Sequence, residues 1–165
     1  MADQLQKELT ITRVFDAPRE LVFKAWTDSE MLAKWWGPRG VTNPESDVEA
    51  HVGGKIRVVM LAGPEMGPLA GQRWPMEGMF EEFEAPSKLV FKNQAVDENG
   101  NVLIDGLTTV TFEEAGGKTR MTMHTTAKGM VPQAEGMLAG MSDGWTQSID
   151  KLAEFIASAG KEGRA

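Results

Sequence analysis

"MLAGMSDGWTQSIDKLAEFI", Met137 to Ile156, is the stretch on which the fold turns. Met137, Met141, Trp145, Ile149, Leu152 and Ile156 follow one another at steps of 4, 4, 4, 3 and 4, so they share one stripe of an α-helix. Gln147, Asp150, Lys151 and Glu154 fall off that stripe, and their face is expected to meet solvent. Gly140 and Gly144 weaken the first half by about 1 kcal/mol each relative to Ala, so the helix either starts near Ser142 or bends there. A long helix with one apolar face needs a broad apolar surface to lie on.

The residues upstream supply it. "HVGGKIRVVML", His51 to Leu61, sets Gly53-Gly54, a dipeptide suited to a two-residue hairpin turn, before Ile56, Val58 and Met60, which alternate with Arg57, Val59 and Leu61. Further strands are expected at Trp74 to Phe83, Lys88 to Asn93, Val102 to Phe112 and Lys118 to Thr126. Ala85-Pro86-Ser87, Asn99-Gly100 and Gly116-Gly117 separate them, which implies antiparallel meander connections. Ala62 to Gln72, rich in Gly and Pro, reads as a mobile connection of the kind that often bears function.

The N-terminal part differs. "LTITRVF", Leu9 to Phe15, is rich in β-branched residues and puts Leu9, Ile11 and Phe15 on one face, with Arg13 the exception. Then Leu21, Val22, Ala25 and Trp26 fall at helical spacing after Pro18. "TDSE", Thr27 to Glu30, has the pattern of a capping box and opens a second helix, which Gly37-Pro38 ends after the adjacent indoles of Trp35 and Trp36. The order is a strand, two short helices, about six strands and one long helix. A sheet that is apolar on one face must be covered, and only the terminal helix is long enough, so the sheet is expected to curl around it. The fold class is α+β with a helix-grip architecture, one domain over residues 1–165 with its core at about 9–156.

Composition excludes several functions. The formal charge of -7 and a pI near 4.9 give no basic footprint for nucleic acid or for an anionic membrane surface. The absence of Cys removes disulfides, thiolate metal sites and thiol nucleophiles together. The N-terminus has neither a basic region nor an apolar one of signal-peptide type, so the expected location is the cytoplasm. His51 and His124 fall in different expected strands, so no metal site is expected, and no phosphate loop or nucleophile elbow occurs. No cofactor and no catalytic set is expected.

Several motifs in order resemble one known family. "TRVFDAPRELVFKAWTDSEMLAKWWGP" (Thr12–Pro38), "VGGKIRVVM" (Val52–Met60), "EGMFEEFEAPSKLVF" (Glu77–Phe91) and "VTFEEAGGKTRMTM" (Val110–Met123) are similar to homologues of the activator of the heat-shock-protein-90 ATPase, within the START-like, or SRPBCC, superfamily. The resemblance covers Leu9 to about Ile156. It implies a cavity between the sheet and the terminal helix, opening near the short helices and loops. Carriers, cyclases, hydroxylase domains and chaperone regulators share that scaffold, so fold alone does not choose among them.

Residues that would line such a cavity are Trp36, Met60, Trp74, Phe80, Phe91, Met121, Met123, Met137, Met141 and Trp145, with Arg57, Glu77 and His124 as polar candidates. Eight of the 11 methionines lie on or beside the expected strands and terminal helix, where a flexible thioether serves either to fill a core or to grip varied apolar ligands. Trp35 is expected to be structural and Trp36 to face the cavity mouth. The leading expectation is non-enzymatic binding of a hydrophobic small molecule or lipid-like ligand by a monomer or homodimer. Contact with a chaperone is the second, and a small cyclase or hydrolase the third. The resemblance leads to the expectation of the helix-grip domain alone, without the additional N-terminal domain of the eukaryotic activators, so stimulation of a chaperone ATPase is not the leading expectation.

Overall fold

A computed structural model describes residues 6–97, 99–132 and 134–162. Its elements are β1 (Gln6–Phe15), α1 (Arg19–Thr27), α2 (Ser29–Trp35), β2 (Val41–Val48), β3 (Lys55–Ala62), β4 (Arg73–Glu84), β5 (Lys88–Val96), β6 (Val102–Ala115), β7 (Lys118–Gly129), α3 (Ala134–Ala139) and α4 (Met141–Glu162). The strands form one curved antiparallel sheet in the order β1-β7-β6-β5-β4-β3-β2. Every neighbour after β2 is also the next strand in sequence, and β1 alone crosses to close the far edge beside β7. The fold is the expected α+β helix grip.

Alternation along each strand sends one row of side chains into the concave face. Ile56 and Val58 of β3, Phe80 of β4, Leu89 and Phe91 of β5, Val110 and Phe112 of β6, and Met121 and Met123 of β7 are buried there with Ile149, Leu152 and Ile156 of α4. The 22 residues of α4 make a rod of about 33 Å, enough to lie across the whole sheet. α1 closes one end of the same core, where Phe23 meets Phe83 and Phe112 edge to face at 5.3 and 5.4 Å.

Several local readings change. Thr27 is no helix cap. Its hydroxyl donates back to the carbonyls of Phe23 and Lys24, whereas the carboxylate of Asp28 accepts from the Met31 N–H at 3.0 Å and starts α2. The carboxylate one residue on reaches that orphan donor, and the Thr is left to finish α1. The turn between β2 and β3 is not a two-residue hairpin, since Glu49 to Gly54 all lie outside the strands. Gly53 (φ +79°) donates to Phe80 O and Gly54 O accepts from Phe80 N, so the dipeptide is stitched to β4 instead. A Cβ on Gly54 would stand 1.9 Å from Glu49 O.

The Gly- and Pro-rich connection also holds more order than expected. Pro64–Leu69 forms a short 3-10 segment, and Gly63 N–H donates to Gly40 O at 2.7 Å. The terminal stripe breaks at Gly140, so Met137 belongs to the separate six-residue α3 and only Met141 onward to α4. This is the bend that the glycine foreshadowed.

The polar face of α4 is not simply solvated. Asp150 receives the Arg13 guanidinium at 2.7 Å, which explains a charged residue among the inward-facing Leu9, Ile11 and Phe15 of β1. Gln147 accepts from the Arg39 backbone N–H at 2.9 Å, Glu154 pairs with the Arg39 guanidinium, and the Lys151 ammonium donates to the carbonyls of Trp36, Gly37 and Pro38 at 3.5, 3.1 and 3.3 Å. Three residues on successive turns therefore clamp the loop that follows α2. Their spacing of 4 and 3 is legible in the sequence, but not their partner.

Candidate functional site

The concave face divides into two halves along the strands. In the half under α1, Met121, Met123 and Val110 have no accessible surface and Phe80 has 1%. Since a void large enough for water would expose some of its lining, no such void touches these three side chains. Phe91 is buried beside them at 3%. Phe80, Phe91, Met121 and Met123, four of the candidate lining residues, are floor packed from both sides.

The other half is incompletely covered. On β5, the middle strand of seven, Asn93 follows Phe91 on the inward row, and its partners across the ladder are Gly78 on β4 and Gly106 on β6. Both glycines sit tight against β5, since a Cβ on Gly78 would stand 1.8 Å from Lys92 O and one on Gly106 2.7 Å from Asn93 O. Asn93 and Gly78 are partly exposed, as are Ala95 and Ile104 one row further on. Partial exposure at the middle of a sheet, on the row turned to the helix, marks a shallow groove, the least covered part of the concave face. Thr108 donates from Oγ1 to Asn93 Oδ1 at 2.8 Å and lies 2.9 Å from Thr125 Oγ1, so a buried polar line runs along the groove floor.

Tryptophan and methionine form the rim. Met60 faces Trp74 across the β3–β4 ladder, and both are partly exposed on the inward side. The Met60 thioether packs against Gly37, where an added Cβ would come within 2.6 Å of Sδ. Next along the chain, Trp36 meets Trp145 of α4 edge to face at 5.3 Å. Trp145 also stacks on Trp26 at 6.3 Å and 22° while remaining partly exposed. Met141, one turn earlier, is partly exposed, and Met137 on α3 is exposed. The structure thus separates the candidates into a closed floor (Phe80, Phe91, Met121, Met123), a buried Trp36 beside Trp145, and a more exposed rim (Met60, Trp74, Met137, Met141, Trp145).

The paired indoles have distinct tasks. Trp35 is wholly buried and donates from Nε1 to Ala25 O at 3.0 Å, which locks α2 on α1. Trp36, 6% exposed, turns toward α4. Trp26, edge to face with Trp35 at 4.7 Å, is 2% exposed, and its Nε1–H has no hydrogen-bond partner among the described residues. A neutral donor left unpaired in this way costs roughly 1–3 kcal/mol.

Arg57, Glu77 and His124 do not reach the groove. Arg57 and Glu77 pair with each other across the β3–β4 ladder at 3.5 Å, and Arg57 also meets Glu45 at 2.5 Å, all on the outer face. His124 is bonded to Glu8 at 2.7 Å on that face. The correction follows from strand alternation: each neighbours an inward residue, Ile56, Met76 and Met123 respectively, and so points outward. Two open depressions of about 580 and 330 Å³ also lie away from the groove. The first involves Glu8, Asp105 and Lys128, and the second Glu45, Arg57, Arg73 and Glu77. Among the described residues, no three His, Asp or Glu side chains converge on a point where a metal ion would bind, and no helix is long and apolar enough to cross a membrane.

Sequence reasoning misses Asn93, Thr108 and Thr125. The available signal is a polar residue on the inward parity of "LVFKNQA", after Leu89 and Phe91. Its glycine neighbours appear only once the register is known.

A curved antiparallel sheet gripping a C-terminal helix, with a groove between them, is the architecture of START-like, or SRPBCC, proteins. A family model described as "Activator of Hsp90 ATPase homolog 1-like protein" matches residues 16–157, and the chain belongs to that family. Among solved structures, a protein from Arthrobacter aurescens is 26% identical with a TM-score of 0.77, covering 96% of this chain and 89% of its own. One from Chromobacterium violaceum is 24% identical with a TM-score of 0.76, covering 90% and 96%. The AHSA1 protein from Silicibacter pomeroyi is 23% identical with a TM-score of 0.73, covering 93% and 99%. The latter two show the shared fold. No functionally curated protein matches the sequence.

Proposed function

We propose that the protein binds a hydrophobic small molecule in the groove between the sheet and α4, without chemical change to it. The supporting observation is the partly exposed row Gly78 and Asn93 at the middle of the sheet, beside the rim of Met60, Trp74, Met141 and Trp145. Apolar walls with a few placed polar groups are the usual composition of small-molecule sites. Methionine and tryptophan suit a ligand whose shape is loosely specified, because the thioether adapts and the indole covers a large area.

The neutral fluorophore N-phenyl-1-naphthylamine tests this reading. It should bind the wild type with enhanced emission and alter tryptophan fluorescence, and Trp145→Ala should weaken binding at least severalfold while leaving the protein folded. A folded wild type that takes up no probe would refute it.

Family membership and one structural feature support a second reading, docking on a chaperone. Leu69 and Met130, in the connections after β3 and β7, and Met137 on α3 are 42%, 51% and 39% exposed. Exposed apolar side chains that adjoin are a common mark of a protein contact. Co-sedimentation with purified heat-shock protein 90, abolished by a Leu69→Ser and Met130→Ser double variant, would favour this reading over the first.

A further inference from the structure

We infer that the floor of the groove selects ligands carrying a neutral hydrogen-bond acceptor, such as a ketone, ester or amide carbonyl, which takes the free N–H of Asn93. This rests on the small-molecule reading above and adds the chemistry of the ligand to it. The directions of the hydrogen bonds come first. Thr108 gives its hydroxyl proton to Asn93 Oδ1 at 2.8 Å, so Thr108 Oγ1 can only accept from Thr125, 2.9 Å away. That chain ends by occupying the amide oxygen and fixing the amide plane. The amide's other end, Nδ2, has two N–H groups and no hydrogen-bond partner among the described residues.

Placement makes this free end a recognition group. Thr108 is 0% and Thr125 1% exposed, so both are sealed beneath the core, whereas Asn93 itself is partly exposed to the groove. A side chain on Gly106 would come within 2.9 Å of Asn93 Nδ2 and 2.7 Å of its backbone oxygen, so glycine there keeps the amide clear. Why else would a sheet centre hold a polar residue between two glycines? Among the described residues, the buried side-chain atoms without a partner are Trp26 Nε1 and Asn43 Oδ1, so Asn93 Nδ2 opens outward, where its N–H groups are free to meet water or a ligand acceptor.

The sign of the ligand follows from what surrounds the amide. Gly78 and Gly106 flank it across the ladder, and Phe91 and Ala95 precede and follow it on the inward row of β5. None of these four carries a charge, and the cation on the same cross-sheet row, Lys7, stands three strands away on the edge strand β1. A carboxylate would be buried there without a cation, whereas a carbonyl oxygen pairs with the amide N–H at no such cost. The ligand class is therefore an apolar body with an uncharged carbonyl that reaches the floor.

A matched pair of probes separates this inference from the reading beneath it. 2-Acetylnaphthalene and 2-ethylnaphthalene differ by a carbonyl in place of a methylene, and each is titrated into wild type, Asn93→Leu and Thr108→Val, with folding followed by circular dichroism. Asn93→Leu should lower the ketone-to-ethyl affinity ratio by roughly three- to tenfold, with the ethyl compound still bound. Thr108→Val keeps the amide but frees its plane, and should lower the ratio by a smaller factor. That variant carries the test should Asn93→Leu fail to fold. A ratio unchanged in the folded variants, with both probes bound, overturns this inference and leaves small-molecule binding standing. Failure of both probes to bind the wild type overturns both.

Discussion

The two halves of the concave face share the same strands, yet one is sealed and the other open. The difference lies in the rows of side chains. Phe80, Phe91, Val110 and Met123 put large apolar groups on neighbouring strands under α1 and the second half of α4, and the volume is filled. One step along the same strands, Gly78, Asn93 and Gly106 offer a single polar side chain between two glycines. The terminal stripe also breaks at Gly140, which separates the short α3 from α4. A helix-grip fold therefore does not need a cavity in order to be stable. It obtains its core from one half and leaves the other partly uncovered.

The largest expected effect comes from the sealed half. Phe112→Ala removes a ring that is 1% exposed and in edge contact with Phe23, and should cost about 3–5 kcal/mol of unfolding free energy. Trp145→Ala, in the open half, should cost less than about 3 kcal/mol, since a partly exposed ring has fewer partners to lose. Urea denaturation of both variants gives the comparison directly. Equal losses at the two positions would break the division into a filled half and an open one.

A second test strikes the turn that holds the sealed half. Both hydrogen bonds between Gly53-Gly54 and Phe80 anchor the β2–β3 connection to the core strand, and a methyl group added at Gly54 would collide with Glu49 O. Replacing both glycines with Ala should lower stability by about 1–3 kcal/mol, from the positive φ at Gly53 and the collision at Gly54. Probe binding in the open half should be unchanged. Loss of binding with unchanged stability would reverse the assignment and make the dipeptide part of the site.

How much of this is legible in the sequence depends on which physical rule each feature obeys. The strand, two short helices, run of strands and final helix follow from periodicity, because every element is amphipathic and the rules for burial are local in sequence. The inward parity of Met121 and Met123 is equally plain. What fails are features that depend on a partner far along the chain. Lys151, Gln147 and Glu154 read as a solvated face because nothing in α4 reveals that the loop after Trp36 lies against it. Asn93 escapes notice for the same reason: its meaning comes from Gly78 and Gly106, residues set beside it only by register. Arg57 and Glu77 are a different kind of error, since their parity already points outward and away from the cavity to which they are first assigned.

The smallest expected effect concerns the clamp that joins the open rim to α4. Lys151 is half-buried against the carbonyls of Trp36, Gly37 and Pro38, and desolvation holds its ammonium below the ordinary value of 10.5, helped by the nearby Arg39 charge and opposed by Glu154. In the window between that lowered value and 10.5 the unfolded chain binds more protons than the folded one, so stability rises with pH there. The penalty of burying the charge is present in full below the window and is relieved above it. Lys151→Met abolishes the titration, so the stability of wild type minus that of the variant should increase as pH is raised toward 10.5. Solvent screening at a half-exposed group keeps the change to about 1 kcal/mol or less. Chemical denaturation of both proteins at a series of alkaline pH values reads the difference, with all other titrating groups cancelling between them. A difference that falls with rising pH would mean that the three carbonyls favour the ammonium more than burial disfavours it. The clamp would then be an electrostatic anchor for the Trp36 side of the groove and not a desolvated strut.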